Sequence, residues 1–347
     1  MAYSDIKDPS AHFQIKTGVG ASSPQSHTFD GNSDLQPDLL WWKRRDASGG
    51  HTLHDSTRGR TKFLYASADT NEQTDGNLIS SFDTNGWSTG SSWFDLGSQT
   101  WVTWAWKANG GTTSSNTDGN ITSTVQSNQD AGFSIVTYTG NGSNNQTIGH
   151  GLGVQPSWWV VKNRSGGSTN WLFGASSILG GTSNYLKLND TSANTEYNNI
   201  WGDSPTSSTL FRVSNLSHLN TNGSNYVAYL FADKQGYSKF GSYVGNGNTN
   251  GPFIYTGFKP AVIIHKSITT VKNWGIITGG TFKNEIDARL NPNLLAAEGT
   301  GTMVDFLSNG FKWRTTNGTA NTNGTTYIYM AWAENPFVAG GVPTTAR

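Results

Sequence analysis

Pro37-Asp38-Leu39-Leu40-Trp41-Trp42-Lys43, Pro156-Ser157-Trp158-Trp159-Val160-Val161-Lys162 and Pro260-Ala261-Val262-Ile263-Ile264-His265-Lys266 are three writings of one phrase. Each is a proline, five mostly apolar residues and a lysine, with the lysine six residues after the proline. Proline lacks an N–H donor and is tolerated at the start of a strand rather than in its middle. The phrase therefore predicts a buried strand, with the lysine marking its emergence into solvent.

Two further landmarks follow in the same order. Asn170-Trp171 and Asn273-Trp274 recur behind the second and third phrases, and His51-Thr52-Leu53-His54 occupies the matching place behind the first. Each copy then ends on an aromatic run, Trp101–Trp106, Tyr226–Phe231 or Tyr327–Trp332, entered through a turn at Gly97, Gly223 or Gly324. Before two of these runs, Asn85-Gly86 and Asn309-Gly310 give the strongest short-range hairpin signal. Three landmarks in fixed order in three segments mark an internal repeat.

The repeat sets the organisation: a segment 1–10, module 1 at 11–108, a Gly/Ser/Asn-rich linker at 109–131, module 2 at 132–234, module 3 at 237–337 and a tail at 338–347. At about 100 residues each, the modules have the size of β-sandwiches. The fold class expected is all-β, three tandem diverged β-sandwich-like modules. Composition agrees. Glycine accounts for 42 residues and aromatics for 12%, including 14 Trp. Aromatic and β-branched runs between Gly, Asn and Ser clusters suit short strands and turns. Asn284–Glu298 alone has a helix-like density of Leu, Ala and Glu. Pro292 interrupts it, so a loop or a short helical turn is expected there.

Charge excludes partners. Twenty-three basic and 23 acidic residues cancel, and only 13% of the chain is charged. No basic stripe invites nucleic acid and no polybasic run invites an anionic membrane. No stretch approaches the roughly 18 apolar residues of a membrane span. Met1–Ser10 has no apolar core of the kind a secretion signal needs. Without cysteine there is no disulfide, thiolate metal site or cysteine nucleophile.

Candidate chemistry is thin. His51, His54 and Asp55 are metal-ligand types, but Gly49-Gly50 precede them and a polar loop explains them as well. Gly149-His150-Gly151-Leu152-Gly153 leads into a strand rather than a helix, so it reads as a turn and not as a phosphate loop. Acidic residues that a glycosidase would pair are scattered: Asp83, Asp95, Glu196, Asp203, Asp233, Glu285, Asp287 and Asp305. No pair of them recurs across the copies. No catalytic residue, metal site or cofactor is expected.

The tryptophans stand out. Neighbours on a strand point to opposite faces, so one ring of each pair Trp41/Trp42 and Trp158/Trp159 must leave its own sheet's inner layer. Trp101 and Trp104 pose the same question. Together with Trp171 and Trp274 these eight are the candidate aromatic contacts. Either a neighbouring module or subunit covers them, or an exposed ring stacks on a sugar.

Several motifs carry a family resemblance: Asp8-Pro9-Ser10-Ala11-His12-Phe13-Gln14, Phe29–Asp38, Ile148–Val154 before Pro156, Gly236–Tyr243, Tyr255–Pro260 and Tyr327–Glu334. The chain resembles, from about Asp8 to Arg347, a family of virion structural or tail-fibre-like proteins of marine and freshwater tailed bacteriophages, of the cyanophage and podovirus type. Trp41-Trp42-Lys43-Arg44-Arg45 is more aromatic than the matching strand of that family. The resemblance implies a non-enzymatic virion protein with other virion proteins as partners, and brings no catalytic residues with it. A tail-fibre adhesin contacting host surface glycan is the leading expectation; a capsid decoration (cement) protein and a glycan-degrading tailspike-type enzyme are the alternatives. A homotrimer is expected to bury the surplus aromatic faces, unless three modules in one chain imitate a trimer by themselves.

Overall fold

The computed structural model describes residues 6–21, 24–90, 97–279, 286–336, 338–339 and 342–343. The described chain is nearly all antiparallel β, with one short α-helix at Ser176–Leu179 and a 3-10 turn at Pro9–Ala11. The expected all-β class holds.

Three copies of one sheet form the scaffold. Each has a first strand (Phe13–Val19, Phe133–Thr139, Ser238–Val244) and a lysine strand (Leu39–Arg44, Trp158–Asn163, Phe258–Ser267) on either side of a central strand (Thr100–Trp106, Asn225–Phe231, Thr326–Pro336). A fourth strand follows the lysine strand: Thr52–Asp55, Leu172–Gly174 or Gly275–Thr278. The registers coincide, with Lys43 opposite Val102, Lys162 opposite Val227 and Lys266 opposite Ile328. A smaller sheet closes each module into a sandwich, built from Gly86–Ser88, Leu210–Val213 or Gly310–Trp313 with their neighbours.

Both hairpins signalled by Asn-Gly form, but the glycines serve differently from the expectation. Asp83 pairs Gly86 and Leu307 pairs Gly310, so the turns are Thr84-Asn85 and Ser308-Asn309. A Cβ on Gly86 would strike the carbonyl of His27, and one on Gly310 that of Ile254. Glycine is needed there for close approach of a neighbouring strand.

The period-2 alternation sorts side chains between two kinds of core. Leu40 and Trp42, Trp159 and Val161, and Ile263 face the three modules' own interiors. Leu39 and Trp41, Trp158 and Val160, and Val262 and Ile264 face a fourth core shared by all three modules. The central strands do likewise, sending Trp104 and Trp106, Tyr229 and Phe231, and Met330 and Trp332 to the shared core. There Trp106, Phe231 and Trp332 close a triangle. Their centroids lie 5.3, 5.4 and 6.0 Å apart and every pair is edge-to-face, at 68°, 73° and 71°. Three equivalent residues meeting pairwise at equal angles define a pseudo-threefold axis. An apolar cavity of about 30 Å3 lies beside it.

The ring closes outside as well. The Glu72 and Thr169 backbones clasp modules 1 and 2 through Glu72 N–H to Arg164 O (3.0 Å) and Thr169 N–H to Asp69 O (3.0 Å). Modules 2 and 3 repeat this with Asn194 N–H to Ile268 O (2.9 Å) and Lys272 N–H to Thr191 O (3.1 Å). Modules 3 and 1 complete it with Glu298 N–H to Arg45 O (2.8 Å) and Gly49 N–H to Leu295 O (2.8 Å).

Two sequence expectations change. The stretch 109–131 is no linker: Ser114–Asn116 and Ser123–Asn128 are strands, and the second pairs with Phe133–Thr139 to extend module 2's sheet. Only Ile121, Val125 and Ala131 in it are apolar residues that face a core, too few to signal a strand. Ile286–Arg289, in the stretch expected to be a loop or helical turn, is a strand. Of the expected tail 338–347, Val338–Ala339 pairs with Val342–Pro343 and the rest lies outside the described residues.

Candidate functional site

All eight tryptophan candidates are buried: exposure is 6% for Trp41 and Trp158, 2% for Trp101, 1% for Trp42 and 0% for Trp104, Trp159, Trp171 and Trp274. None offers a face to a sugar, which corrects the binding alternative. Trp41, Trp104 and Trp158 fill the shared core, and Trp42, Trp101 and Trp159 fill their own modules. Trp171 and Trp274 are junction residues. The Trp171 indole donates to Tyr65 O of module 1 (2.8 Å), and the Trp274 indole to Lys187 O of module 2 (2.8 Å). The surplus rings are covered by the chain's own neighbouring modules.

The lysines do not emerge into solvent either. Lys43, Lys162 and Lys266 are fully buried at the outer rim of the shared core. Each shares a strand face with the rings beside it, so its ammonium is carried into a junction. Lys162 Nζ donates to Asp69 O of module 1 (2.8 Å), Lys43 Nζ to Leu295 O of module 3 (3.3 Å) and Lys266 Nζ to Ser267 O (2.6 Å). Burial pushes each ammonium's pKa down to about 8.

A buried ionic group locks modules 1 and 2. Asp55 and Arg58 are fully enclosed and paired through Asp55 Oδ2 and Arg58 Nε, and the Tyr229 hydroxyl of module 2 donates to the same oxygen (2.7 Å). Glu72 then bridges Arg58 Nη1 (3.0 Å) and Arg164 Nε (2.8 Å). Burial opposes the Glu72 charge, but the two guanidinium groups hold its carboxyl below the usual range.

This disposes of the metal reading of His51, His54 and Asp55. His51 Nδ1 accepts from the Trp41 indole (2.9 Å), and Asp55 belongs to Arg58. His54 lies on the opposite face of the strand, stacked on Phe63 at 5.5 Å. Burial lowers its pKa to about 3. Among the described residues no three His, Cys, Asp or Glu side chains gather as metal ligands. The acidic residues stay dispersed. Asp83 accepts from Ser81 and Ser88, Asp233 pairs with Lys239 and Asp305 with Arg314. Asp95 and Glu285 lie outside the described residues. Gly151 and Gly153 turn the chain at φ 70° and 71° before the second lysine strand, as a turn should. An open groove of about 420 Å3 between modules 1 and 3 is lined by both polar and apolar residues. Its groups serve one another: Gln14 holds Ser10, Gly31 and Ser33, and Lys16 pairs with Asp30.

Among the described residues, exposed apolar side chains gather on the outer flank of module 3. Phe253 and Tyr255 are 45% and 55% exposed on the edge strand Phe253–Tyr255, and Val244 is 56% exposed at the end of the edge strand Ser238–Val244. Module 2 shows the same flank covered. Its residues matching Phe253 and Tyr255 are Thr147 and Gly149, both buried, since Ile148 pairs Phe211 as Ile254 pairs Phe311. Sequence reasoning passed over Phe253 and Tyr255 because tryptophan pairs drew the attention. Aligning Thr147-Ile148-Gly149 with Phe253-Ile254-Tyr255 would have shown two small positions replaced by aromatic ones.

Fold and site together define a three-module β-sandwich protein whose modules share one core, with an open sheet flank on module 3. The chain belongs to the family described as Domain of unknown function (DUF7483), whose model matches residues 8–336. No curated protein and no solved structure matches it.

Proposed function

We propose that the protein is a non-enzymatic structural unit of a tailed-phage particle, built into it through contacts with other virion proteins. The resemblance of the motifs from Asp8 to Glu334 motivates the particle. The observation that carries the structural role is the closed ring. The residue types that would ordinarily suggest activity, buried lysines, histidines and an Asp–Arg–Tyr group, all bind module to module or lie enclosed in a core.

Burial of the eight tryptophans removes the main support for a glycan-contacting tail-fibre adhesin. It moves the balance towards a decoration or cement-like position, in which protein rather than sugar is the partner. It also removes the reason for a homotrimer, because the faces a trimer was to cover are already covered within one chain. The test is quantitative mass spectrometry of purified particles against the major capsid protein. A fixed stoichiometry is expected, in hundreds of copies for a capsid position or about six to eighteen for a tail position. Loss of the protein from particles purified to constant composition would refute the proposal.

A further inference from the structure

We propose that the open flank of module 3 is a docking site for an extended strand of a partner protein, polar and nearly uncharged, with two aliphatic side chains four residues apart. The occupant's chemistry is read from module 2, where the chain fills the same place itself. There Ser123–Asn128 pairs along Phe133–Thr139, and Ile121 forms a parallel bridge to Ile148 with its N–H on Thr147 O at 3.1 Å. Ile121 and Val125 enter the module 2 core beside Tyr138 and Ile148.

Module 3 keeps the tyrosine and isoleucine of the receiving surface, while Phe253 and Tyr255 replace Thr147 and Gly149 beside them. Tyr243 corresponds to Tyr138: each hydroxyl donates to a carbonyl of the same loop, Ala320 O at 2.8 Å and Leu219 O at 2.6 Å. Each ring stacks on the central-strand tyrosine, at 5.1 Å and 4.9 Å. Ile254 corresponds to Ile148. Among the described residues the covering hairpin has no counterpart, and module 3 follows module 2 with almost no intervening chain, at Gly236-Tyr237. The edge polarity is also suited. Gly245 N–H bonds Thr325 O, so alternation turns the Ser242 and Val244 N–H groups outward. Asp233 accepts the Phe240 N–H at 3.0 Å, so pairing is open from Ser242 onward. Between Gly236 and Gly251 the chain carries no proline and only one charged residue, Lys239, which is paired to Asp233. Edge strands not meant for pairing are usually blunted by such residues. Strand addition would supply main-chain hydrogen bonds for affinity and place side chains against Phe253 and Tyr255 for specificity.

The probe is a synthetic peptide of residues 119–129 of this chain, added to the full-length protein. It carries Ile121 and Val125 but leaves out Asn116, the side chain packed against Gly149 where module 3 has Tyr255. Module 2's own copy is covalently attached and keeps its flank occupied at high effective concentration. Hydrogen exchange is expected to slow at least tenfold at Ser242, Val244, Phe253 and Tyr255, with no effect from a scrambled peptide. Ser242→Pro removes one outward donor, and Phe253→Lys places a charge on the exposed edge; each should abolish the protection. Phe253→Lys changes a half-exposed side chain and keeps the test valid if the proline variant fails to fold. Absence of protection, protection elsewhere, protection that survives Phe253→Lys, or an oligosaccharide panel perturbing Phe253 and Tyr255 where the peptide does not, would each overturn the proposal.

Discussion

Trp332→Ala strikes the pseudo-threefold axis. The ring is 1% exposed and touches rings from all three modules: Trp106 and Phe13 of module 1, Phe231 and Trp158 of module 2, and Phe240 of its own. Truncating a core Trp costs about 3–5 kcal/mol, with the higher values where the walls do not collapse. Here the walls are three sheets held apart by the Glu72, Asn194 and Glu298 clasps, so collapse would require undoing them. The small void already beside the axis, about 30 Å3, costs about 0.7 kcal/mol at roughly 24 cal/mol per Å3. The variant should enlarge it and lose about 4–5 kcal/mol, since each edge-to-face contact adds about 0.5–1.5 kcal/mol beyond area burial. Urea unfolding followed by far-UV circular dichroism gives the loss. Hydrogen exchange gives its reach: Leu39–Arg44 and Trp158–Asn163, in the other two modules, should lose protection together with Phe258–Ser267. A loss below about 1 kcal/mol, or deprotection confined to module 3, would refute the shared core.

Three further outcomes follow from the buried charges. His54 and His265 have folded pKa values near 3 and His150 near 4, in each case chiefly through burial, against 6.5 when unfolded. The folded state therefore binds fewer protons below pH 6.5, and each histidine removes up to about 1.4 kcal/mol per pH unit as pH falls towards 4; an unchanged urea midpoint between pH 6.5 and 4.5 would contradict this. The lysines act at the other end. With folded pKa values near 8 against 10.5 unfolded, Lys43, Lys162 and Lys266 make the protein more stable as pH rises from 8 to 9.5, before tyrosines ionise in the unfolded chain. That rise should shrink in Lys162→Met, measured by the same titration. Finally, Arg58→Met leaves Asp55 buried without its cation and should cost about 3–5 kcal/mol, whereas the half-exposed Lys239→Met should cost under about 1 kcal/mol. Thermal melts of the two variants check the contrast.

The repeat was legible because burial on both faces of a lysine strand forces an unbroken apolar run that polar turns cannot imitate. Trp41-Trp42 and Trp158-Trp159 announced that each sheet has two dry faces. What they could not announce was which surface covers the second face, because a module, a subunit and a sugar all ask for the same ring. The lysines misled for a related reason. Lysine is almost never fully buried unless paired, and here the partners are backbone carbonyls. Three lie within the lysine's own module (Arg44, Thr169, Ser267) and two across a junction (Asp69, Leu295), the last hundreds of residues from Lys43. Ser123–Asn128 escaped notice because it lies between two other strands yet Val125 is its one apolar residue, the other buried positions being Ser123 and Gln126. The flank at Phe253 and Tyr255 carries no motif, and only the comparison with its covered twin in module 2 exposes it.

Differential scanning calorimetry of the full chain tests the shared core most directly. At about 0.7 kcal/mol per residue, 347 residues give an unfolding enthalpy of about 240 kcal/mol near 60 °C. A ring held by one common core should melt in a single transition with a van't Hoff enthalpy near that figure. Separate transitions, each with a van't Hoff enthalpy near about 80 kcal/mol, would mean three modules folding independently, and would contradict the account.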